Sequence, residues 1–385
     1  MTSAHELWET PERRALRATV AAFTEREIVP HLPAWEEAGD VPRSLHHKAA
    51  ELGLLELDFP EKAGGAGDFI DFSIAVEQLI LSGGSSGVNA ALFTHSIGVP
   101  HIAGAGDPWQ IDEFVRPVLA GQKIASLGVT EPGTGSDVGA ITTRAVRDGD
   151  EYVVTGGKTF ITSAARADFV TTAVRTGGPG HRGVSLLIVE SDRPGFSVLS
   201  RLKKMGWWCS DTAELAYDGV RVPARNLVGA EGTGFLQIMQ RFESERLNMS
   251  VQAVAIAERC LRLANQWARD RHTFGTPLIQ RQVIQHKLAE MARQVSVTKT
   301  YVRDVTARWL AGGDLNMEVA MAKKTATDCC DAVVNEAVQI HGGMGYMRES
   351  EVERHYRDAR ILSIGGGTNE IMNEIIAKRL ARSDP

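Results

Sequence analysis

The sequence predicts an α+β fold made of an N-terminal helical domain, a central antiparallel β-barrel or sandwich, and a C-terminal four-helix bundle. Apolar residues follow a helical period over residues 10–120 and again beyond residue 232, where the segments are long. Between these regions, short β-branched segments alternate with glycine- and aspartate-rich turns. We therefore place the domain boundaries at residues 1–122, 123–231 and 232–385.

The N-terminal part contains several predicted helices that are separated by breaker residues. Thr10 followed by Pro11 is typical of a helix N-cap with proline in the first turn. Segments 69–81 and 86–103 are mostly apolar, which indicates buried helices. Glycine and proline interrupt the pattern at residues 60–67, 83–84 and 104–108.

The central part contains six predicted strands, which are short and rich in β-branched residues. Turn signals such as Asp148-Gly149-Asp150 separate them, and this spacing is typical of a small barrel or sandwich. The predicted strands are 123–129, 141–147, 151–161, 169–174, 184–190 and 213–222.

The C-terminal part contains four long predicted helices with apolar residues at three-and-four spacing. The first has a length on the order of 55 Å at 1.5 Å per residue, so we expect an up-and-down bundle. The predicted helices are 233–271, 282–311, 316–339 and 368–382.

Composition indicates a soluble globular protein of 385 residues, with 43% hydrophobic and 23% charged residues. The net charge of −6 disfavours a nucleic-acid partner, and no apolar run reaches the roughly 20 residues of a membrane span. The first residues lack the apolar core of a signal peptide. Four cysteines are too few and too irregularly spaced for a disulfide framework or a zinc site, and we expect the neighbouring Cys329 and Cys330 to be two buried free thiols. We also expect no metal and a cytoplasmic location.

Two short patterns resemble known site signatures but stand in the wrong context. The G-x-G-x-x-G pattern at 178–183 precedes a predicted strand, whereas a dinucleotide site needs a helix there, so a hairpin loop is expected. The G-x-S-x-G pattern around Ser85 follows a predicted helix instead of a strand, which disfavours a hydrolase. The histidines show no metal-binding spacing, and we expect His46 and His47 at the surface.

Four segments combine residue types that suit ligand binding. GVTEPGTGSD (128–137) is a turn-rich loop, either structural or able to bring backbone N–H groups and the Thr130 and Ser136 hydroxyls to a ligand. GGKTFITSA (156–164) follows it, RHTFGTPLIQ begins at Arg271, and IGGGTNEIM (364–372) lies near the C-terminus. Together with QIHGGMGY (339–346) and FESERLNMS (242–250), they resemble the acyl-CoA dehydrogenase family, flavoenzymes that desaturate acyl thioesters between Cα and Cβ.

The resemblance covers nearly the whole chain and implies FAD as the cofactor. It places Phe160 against the isoalloxazine ring and the Thr162 hydroxyl near the nitrogen that accepts hydride. It also implies that one group of FAD contacts comes from a neighbouring subunit, and hence a homo-oligomer, either a dimer or a tetramer. The other cofactor-binding residues that it implies in this chain are Leu127, Val129, Thr130, Gly135, Ser136, Thr368 and Glu370; those implied from the neighbouring subunit are Arg271, Phe274, Gln282, Gln339, Gly342 and Gly343.

The general base is the decisive question, because many family members carry it where this chain has Gly366, and glycine cannot take a proton. A subset that includes long-chain and isovaleryl members carries it in a phrase like Glu245-Arg246-Leu247, so the resemblance implies Glu245. Burial on a helix facing an apolar pocket raises a carboxyl pKa towards useful values, while Arg246 opposes the rise if it points the same way. The alternative is a solvated Glu–Arg pair on a helix surface. The implied substrate-binding residues are Ser136, Glu243, Arg246, Gly366 and Gly367, with the Gly366 N–H polarising the thioester carbonyl.

The predicted function is oxidation of a saturated acyl-CoA to trans-2-enoyl-CoA, with electrons passing to an electron-transferring flavoprotein. The alternatives are an oxygen-using oxidase or monooxygenase of the same fold, a binding-only acyl-CoA protein, and a thioesterase-like hydrolase at Ser85. Acyl chain length stays open, as does the choice for Trp207 and Trp208 between lining a substrate tunnel and packing a domain interface.

Overall fold

The computed structural model describes residues 4–381, which form fifteen α-helices and nine β-strands in these described residues. The helices are α1 (Ala4–Trp8), α2 (Pro11–Phe23), α3 (Leu32–Ala38), α4 (Arg43–Glu51), α5 (Phe69–Leu81), α6 (Ser86–Leu92), α7 (His95–Gly98), α8 (Pro100–Ala105), α9 (Pro108–Gln110), α10 (Arg116–Leu119), α11 (Gly234–Asp270), α12 (Gln282–Leu310), α13 (Asn316–His341), α14 (Glu351–Ala359) and α15 (Asn369–Leu380). The strands are β1 (Ala125–Gly128), β2 (Arg144–Asp148), β3 (Glu151–Thr162), β4 (Phe169–Arg175), β5 (Val184–Glu190), β6 (Phe196–Arg201), β7 (Thr212–Pro223), β8 (His272–Thr273) and β9 (Thr276–Pro277).

The N-terminal domain consists of short helices arranged around the buried α5. The Thr10 side chain accepts a hydrogen bond from Arg13 N at 3.3 Å, which confirms the predicted cap. The bounds of α5 agree with the predicted segment, because Asp68 and Asp71 close a capping box at its start. The predicted helix 86–103 is instead divided into α6, α7 and α8.

The central domain is a seven-stranded sheet with the order β1-β4-β2-β3-β7-β6, and β5 pairs with β4. Most pairings are antiparallel, as predicted, but β1 runs parallel to β4, and β2 touches β4 in parallel at one position. All six predicted strands are present. The sequence prediction missed β6, an edge strand that pairs with β7 alone among the described residues and has all six of its residues exposed or half-buried.

The C-terminal domain is a bundle in which α13 packs against α11, α12 and α15. The four predicted helices are confirmed, and the ends that fall in the described residues are shifted by no more than two residues. The predicted end of the last helix at residue 382 lies outside the described residues. The prediction missed α14. Its many charged residues are typical of a surface loop, but several of them are buried in the structure. Helix α5 packs against α11, so the N-terminal domain and the bundle share one apolar core.

The structure resolves the open choices that concern the sequence patterns. Residues 178–183 join the antiparallel strands β4 and β5, as expected for a hairpin loop, and Ser85 is the buried N-cap of α6. All four cysteines are buried free thiols. The prediction of a surface His46 is wrong, because its ring is buried against Arg166 at 3.2 Å. Within residues 4–381, no helix is long and apolar enough to cross a membrane.

Trp207 and Trp208 pack where the three domains meet. The Trp207 N–H donates to Asp358 Oδ1 at 2.6 Å, and its indole N–H donates to Ser86 Oγ at 2.9 Å. The Arg357 guanidinium lies 3.6 Å from the centre of the Trp208 ring. Both tryptophans therefore belong to the domain interface.

Candidate active site

The loop that follows β1 is anchored to the sheet by a buried ion pair. Lys158 Nζ lies 2.8 Å from Glu131 Oε1 and donates to Val129 O at 3.0 Å. Glu131 also accepts the backbone N–H groups of Thr142 and Thr143. Burial alone would raise the pKa of Glu131, but Lys158 and the two threonines lower it to about 2. The pair is therefore ionised at neutral pH and fixes the start of the loop.

The predicted flavin-contacting residues of this loop lie on its accessible side. Thr159 N donates to Thr130 O at 2.9 Å, which joins the loop to β3. Gly135 and Ser136 are exposed, and a Cβ built at Gly135 would meet nothing within 4 Å. Leu127 and Val129 are half-buried at the end of β1. The loop thus leaves room beside it for a ligand.

Phe160 presents an unpartnered aromatic face next to this loop. Its backbone has φ +60°, which is rare for an aromatic residue, and its side chain is 67% exposed. It falls in a register irregularity of the β3–β7 pair between Lys158 and Ile161, and such bulges redirect a side chain out of the sheet. Thr162 follows on the same strand and is half-buried. An exposed ring in strained backbone beside an open, glycine-containing loop fits a planar flavin.

Glu245 lies on α11 and is half-buried. Burial raises the pKa of its carboxyl, whereas Arg246 and Lys323 lower it. Within residues 4–381, no protein donor hydrogen-bonds this carboxylate. It therefore combines a raised pKa with unused acceptor capacity, the two properties that a general base requires.

Glu243, the competing carboxylate, is held by the bundle. Trp309 Nε1 donates to its Oε2 at 3.1 Å, and Asn316 Nδ2 donates to its Oε1 at 3.0 Å. Both of its oxygens thus accept hydrogen bonds, one from α12 and one from α13. Of the two, the Glu245 carboxylate is the one left open for a proton.

The glycine turn between α14 and α15 lies directly against Glu245. Gly366 and Gly367 have φ values of +61° and +91°. A Cβ built on Gly366 would lie 3.6 Å from Glu245 Oε1 and 2.7 Å from Met249 Sδ. A carboxylate carried at position 366 and one carried at position 245 would therefore reach the same region of the site.

Arg246 secures this turn, because its Nε donates to Gly366 O at 3.3 Å. Its guanidinium lies 5.5 Å from the centre of the Phe242 ring, which packs against the same apolar cluster as Val129. Beyond the turn, Thr368 caps α15 by accepting from Ile371 N at 3.3 Å, and Glu370 is exposed in the first turn of that helix. The structure thus brings Arg246 of α11 to the glycine turn, and Phe242 of the same helix to the apolar cluster against which Val129 packs.

A second group of predicted cofactor residues lies at the opposite end of the bundle. Arg271 and Glu245 are 26 positions apart at or beside α11, which corresponds to about 39 Å along the helix. The Trp267 ring stacks on His341 at 5.0 Å, which brings the turns after α11 and α13 together. Phe274 is 97% exposed with φ +50°. The remaining members of this group are exposed too: Arg271, Gln282, Gln339, Gly342 and Gly343.

Sequence reasoning missed Lys323, a buried lysine of α13 that contacts the glycine turn. A signal for it existed in the sequence. Lys323 lies four positions after Val319 and three before Ala326, both fully buried, so it occupies the apolar face of its helix. A lysine at such a position has to find polar partners inside the protein.

Comparisons with protein families match the three domains separately. The model described as acyl-CoA dehydrogenase, N-terminal domain, matches residues 10–122. The acyl-CoA dehydrogenase middle-domain model matches residues 126–220, and the acyl-CoA dehydrogenase C-terminal-domain model matches residues 232–381.

Individual relatives extend over almost the whole chain. The chain is 38% identical over 378 residues to the probable acyl-CoA dehydrogenase YngJ of Bacillus subtilis (strain 168), covering 97% of this chain and 99% of that protein. It is 36% identical to the mitochondrial long-chain specific acyl-CoA dehydrogenase of Mus musculus, covering 96% and 86%. The crystal structure of a probable acyl-CoA dehydrogenase from Mycobacterium abscessus superposes with a TM-score of 0.96 at 65% identity, covering 97% of this chain and 100% of that one.

Proposed function

The chain belongs to the acyl-CoA dehydrogenase family, and on that premise we propose that it oxidises a saturated acyl-CoA to trans-2-enoyl-CoA with Glu245 as the general base. It is an oxidoreductase, and FAD is the cofactor of its family. One observation carries the assignment of the base: the Glu245 carboxylate lies 3.6 Å from where a side chain at Gly366 would begin, and no described protein donor occupies it.

In the proposed reaction, Glu245, Gly366 and Arg246 have separate roles. Glu245 takes the proton from Cα of the thioester, and its raised pKa improves the driving force for that transfer. The Gly366 N–H donates to the thioester oxygen, where negative charge develops as the proton leaves. Arg246 holds the Gly366 carbonyl and so helps to fix the turn. Bound FAD supplies the acceptor for the hydride that leaves Cβ.

The positions of the predicted cofactor-binding residues also support the proposal that the protein is a homo-oligomer. Glu245 and the glycine turn lie at one end of α11, whereas Arg271 lies about 39 Å further along, just after the helix, and Phe274 follows it. This separation supports the proposal that the second group does not contact the FAD that reacts beside Glu245 of the same chain. We place Arg271, Phe274, Gln282, Gln339, Gly342 and Gly343 at the FAD of a neighbouring subunit, in a cytoplasmic dimer or tetramer that passes electrons to an electron-transferring flavoprotein.

The decisive test is an anaerobic titration of the FAD-loaded protein with straight and branched saturated acyl-CoAs, followed by flavin absorbance. We expect at least one acyl-CoA to bleach the flavin, and Glu245→Gln to slow bleaching by on the order of 10²- to 10⁴-fold because the proton has no acceptor. Glu243→Gln is made in parallel, because Glu243 is the other carboxylate on this part of α11 and the alternative candidate for the base. If Glu243→Gln abolishes bleaching and Glu245→Gln retains it, the base is Glu243 and the assignment to Glu245 is wrong.

The same titration separates the alternative functions. An oxygen-using enzyme would be bleached by substrate but would reoxidise rapidly when air is admitted. A binding-only protein would bind acyl-CoA without bleaching, and its Glu245→Gln variant would behave like the wild type. Bleaching by no member of the series rejects the dehydrogenase assignment for those acyl-CoAs.

A further inference from the structure

Lys323 is fully buried and is bonded to the glycine turn. Its ammonium donates to Gly365 O at 2.8 Å and also to Gly367 O. Arg246 Nε donates to the carbonyl between them, that of Gly366, at 3.3 Å. Three successive carbonyl oxygens therefore converge on two cations, which α11 and α13 supply.

This convergence fixes the direction of the intervening N–H groups. The chain has no cis peptide bond in its described residues, so each N–H points opposite to the carbonyl of the preceding residue in the same planar unit. When Gly365 O points at Lys323, the Gly366 N–H must point away from Lys323. Within residues 4–381 this N–H has no protein acceptor, so it is available to a ligand.

Burial of an ammonium group reduces the stability of a folded protein unless other interactions compensate for the lost hydration. An unpaired buried cation is strongly destabilising, and the penalty falls only where hydrogen bonds and opposite charges surround the group. Burial, and after it Arg246, lower the pKa of Lys323 to about 8, although Glu245 and Glu370 act in the opposite direction. The lysine is thus charged at neutral pH and lies close enough to Glu245 to lower the pKa of that carboxyl.

We propose that Lys323 is a positioning residue of the active site: it clamps the Gly365–Gly367 turn so that the Gly366 N–H faces the thioester oxygen. This inference rests on the proposed dehydrogenation, to which it adds a residue that does not touch the substrate. The same charge tunes the base. The charged groups that face Glu245 or its cationic neighbours are Glu243, Arg246, Lys323 and Glu370.

The test compares Lys323→Met with Lys324→Met in the FAD-loaded protein. Methionine keeps the length of the side chain but removes its donors and charge. Lys324 is the matched control, because it is adjacent on α13 but partly exposed and paired with Asp328 at 2.6 Å. Hydrogen–deuterium exchange of residues 361–372 measures the clamp directly, and stopped-flow bleaching across pH measures its consequence.

We expect faster exchange in residues 361–372 of Lys323→Met and a fall in the bleaching rate of about 100-fold, since a displacement near 1 Å has an effect of that size. We also expect the acid limb of its pH–rate profile to move to higher pH, because Glu245 loses a neighbouring positive charge that favours its ionised form. Lys324→Met should match the wild type in all three measurements.

If residues 361–372 of Lys323→Met exchange hydrogen at the wild-type rate, Lys323 does not hold the turn, whatever the effect on the bleaching rate. Faster exchange with an unshifted acid limb and an unchanged rate overturns the link to catalysis. If the wild type itself is bleached by no acyl-CoA, the proposed function fails, and the exchange comparison still decides the clamp. Should Lys323→Met lose FAD during purification, Lys323→Gln retains one hydrogen-bond donor group and is compared in the same way.

Discussion

Gly366 shows how strongly a single residue constrains this site. Its φ of +61° lies in the left-handed region, where a side chain costs about 1–2 kcal/mol. Its missing Cβ also leaves space for Met249 Sδ and for the Glu245 carboxylate, which approach to 2.7 and 3.6 Å of that position. The absence of a side chain at 366 and the presence of a carboxylate at 245 are therefore two parts of one arrangement.

Gly366→Ala should accordingly damage both stability and turnover. The added methyl group must displace Met249 and strains the backbone, so we expect a loss of about 1–2 kcal/mol in the free energy of unfolding. Bleaching by acyl-CoA should slow as well, because the turn that holds the Gly366 N–H moves. Gly178→Ala is the control, since its Cβ would meet nothing within 4 Å. Equal melting temperatures and bleaching rates for the two variants would contradict the crowding at Gly366.

At the scale of elements, the loop after β1 depends on the Lys158–Glu131 pair beneath it. Both side chains are almost fully buried, with exposures of 0% and 4%. Removal of one partner from a buried pair costs about 3–5 kcal/mol, because the other charge is left in a dry environment. The predicted flavin contacts Thr130, Gly135 and Ser136 lie on the loop that this pair anchors.

We therefore expect Lys158→Met to weaken FAD binding as well as stability. The ratio of flavin to protein after gel filtration, followed by titration with FAD, measures the first effect. Lys123→Met is the control, because its pair with Glu113 is largely exposed and contributes about 0–1 kcal/mol. If Lys158→Met retains as much FAD as Lys123→Met, the ion pair does not support the cofactor loop.

The elements that the sequence predicted well are those with a clear apolar pattern or a capping residue at their boundary. Helix α5 is apolar on nearly all sides and is capped by Asp68, so its limits are legible in the sequence. Strand β6 and helix α14 were missed for opposite reasons. Strand β6 lies at the sheet edge with most side chains exposed or half-buried, whereas α14 buries charged residues such as Arg354 against Glu36.

The candidate site could likewise be predicted where local sequence carries it, but not where it depends on contacts between distant residues. The resemblance indicated Glu245 and the glycine turn, because both are carried by local sequence. The helical period places Lys323 on an apolar face, but its partners are backbone carbonyls 42 and 44 residues away, and no pattern of side chains identifies them. The burial of His46 against Arg166 across 120 residues is another contact that only the folded chain reveals.

For the whole molecule, a buried carboxylate joins the N-terminal domain to the bundle. Glu77 of α5 is 3% exposed and is paired with Arg17 of α2 at 2.6 Å and with Lys299 and Arg303 of α12 at 2.9 and 3.2 Å. Burial alone would raise the pKa of Glu77, but these three cations lower it to about 2. Ionisation of this carboxyl therefore stabilises the junction.

The pH dependence follows from that lowered pKa. The unfolded chain binds the Glu77 proton near pH 4.5 and the folded chain only near pH 2, so the contribution is complete above about 4.5 and is lost as the pH falls towards 2. Its size is about 3 kcal/mol at 1.4 kcal/mol per pKa unit. Burial likewise lowers the pKa of His95 and His101 to about 4, and their contribution is lost earlier, as the pH falls from about 6.5 to 4.

Glu77→Gln should separate these two windows in a series of chemical denaturation curves between pH 7 and pH 2.5. At pH 7 the variant should be less stable by several kcal/mol, because three cations lose their buried partner. Below pH 4.5 its stability should fall less steeply than that of the wild type, because the proton that weakens the junction no longer has a site. The loss between pH 6.5 and 4.5 should remain, since the histidines are unchanged. The exposed Glu37→Gln should follow the wild type throughout, and a Glu77→Gln curve parallel to the wild type below pH 4.5 would place the acid sensitivity elsewhere in the protein.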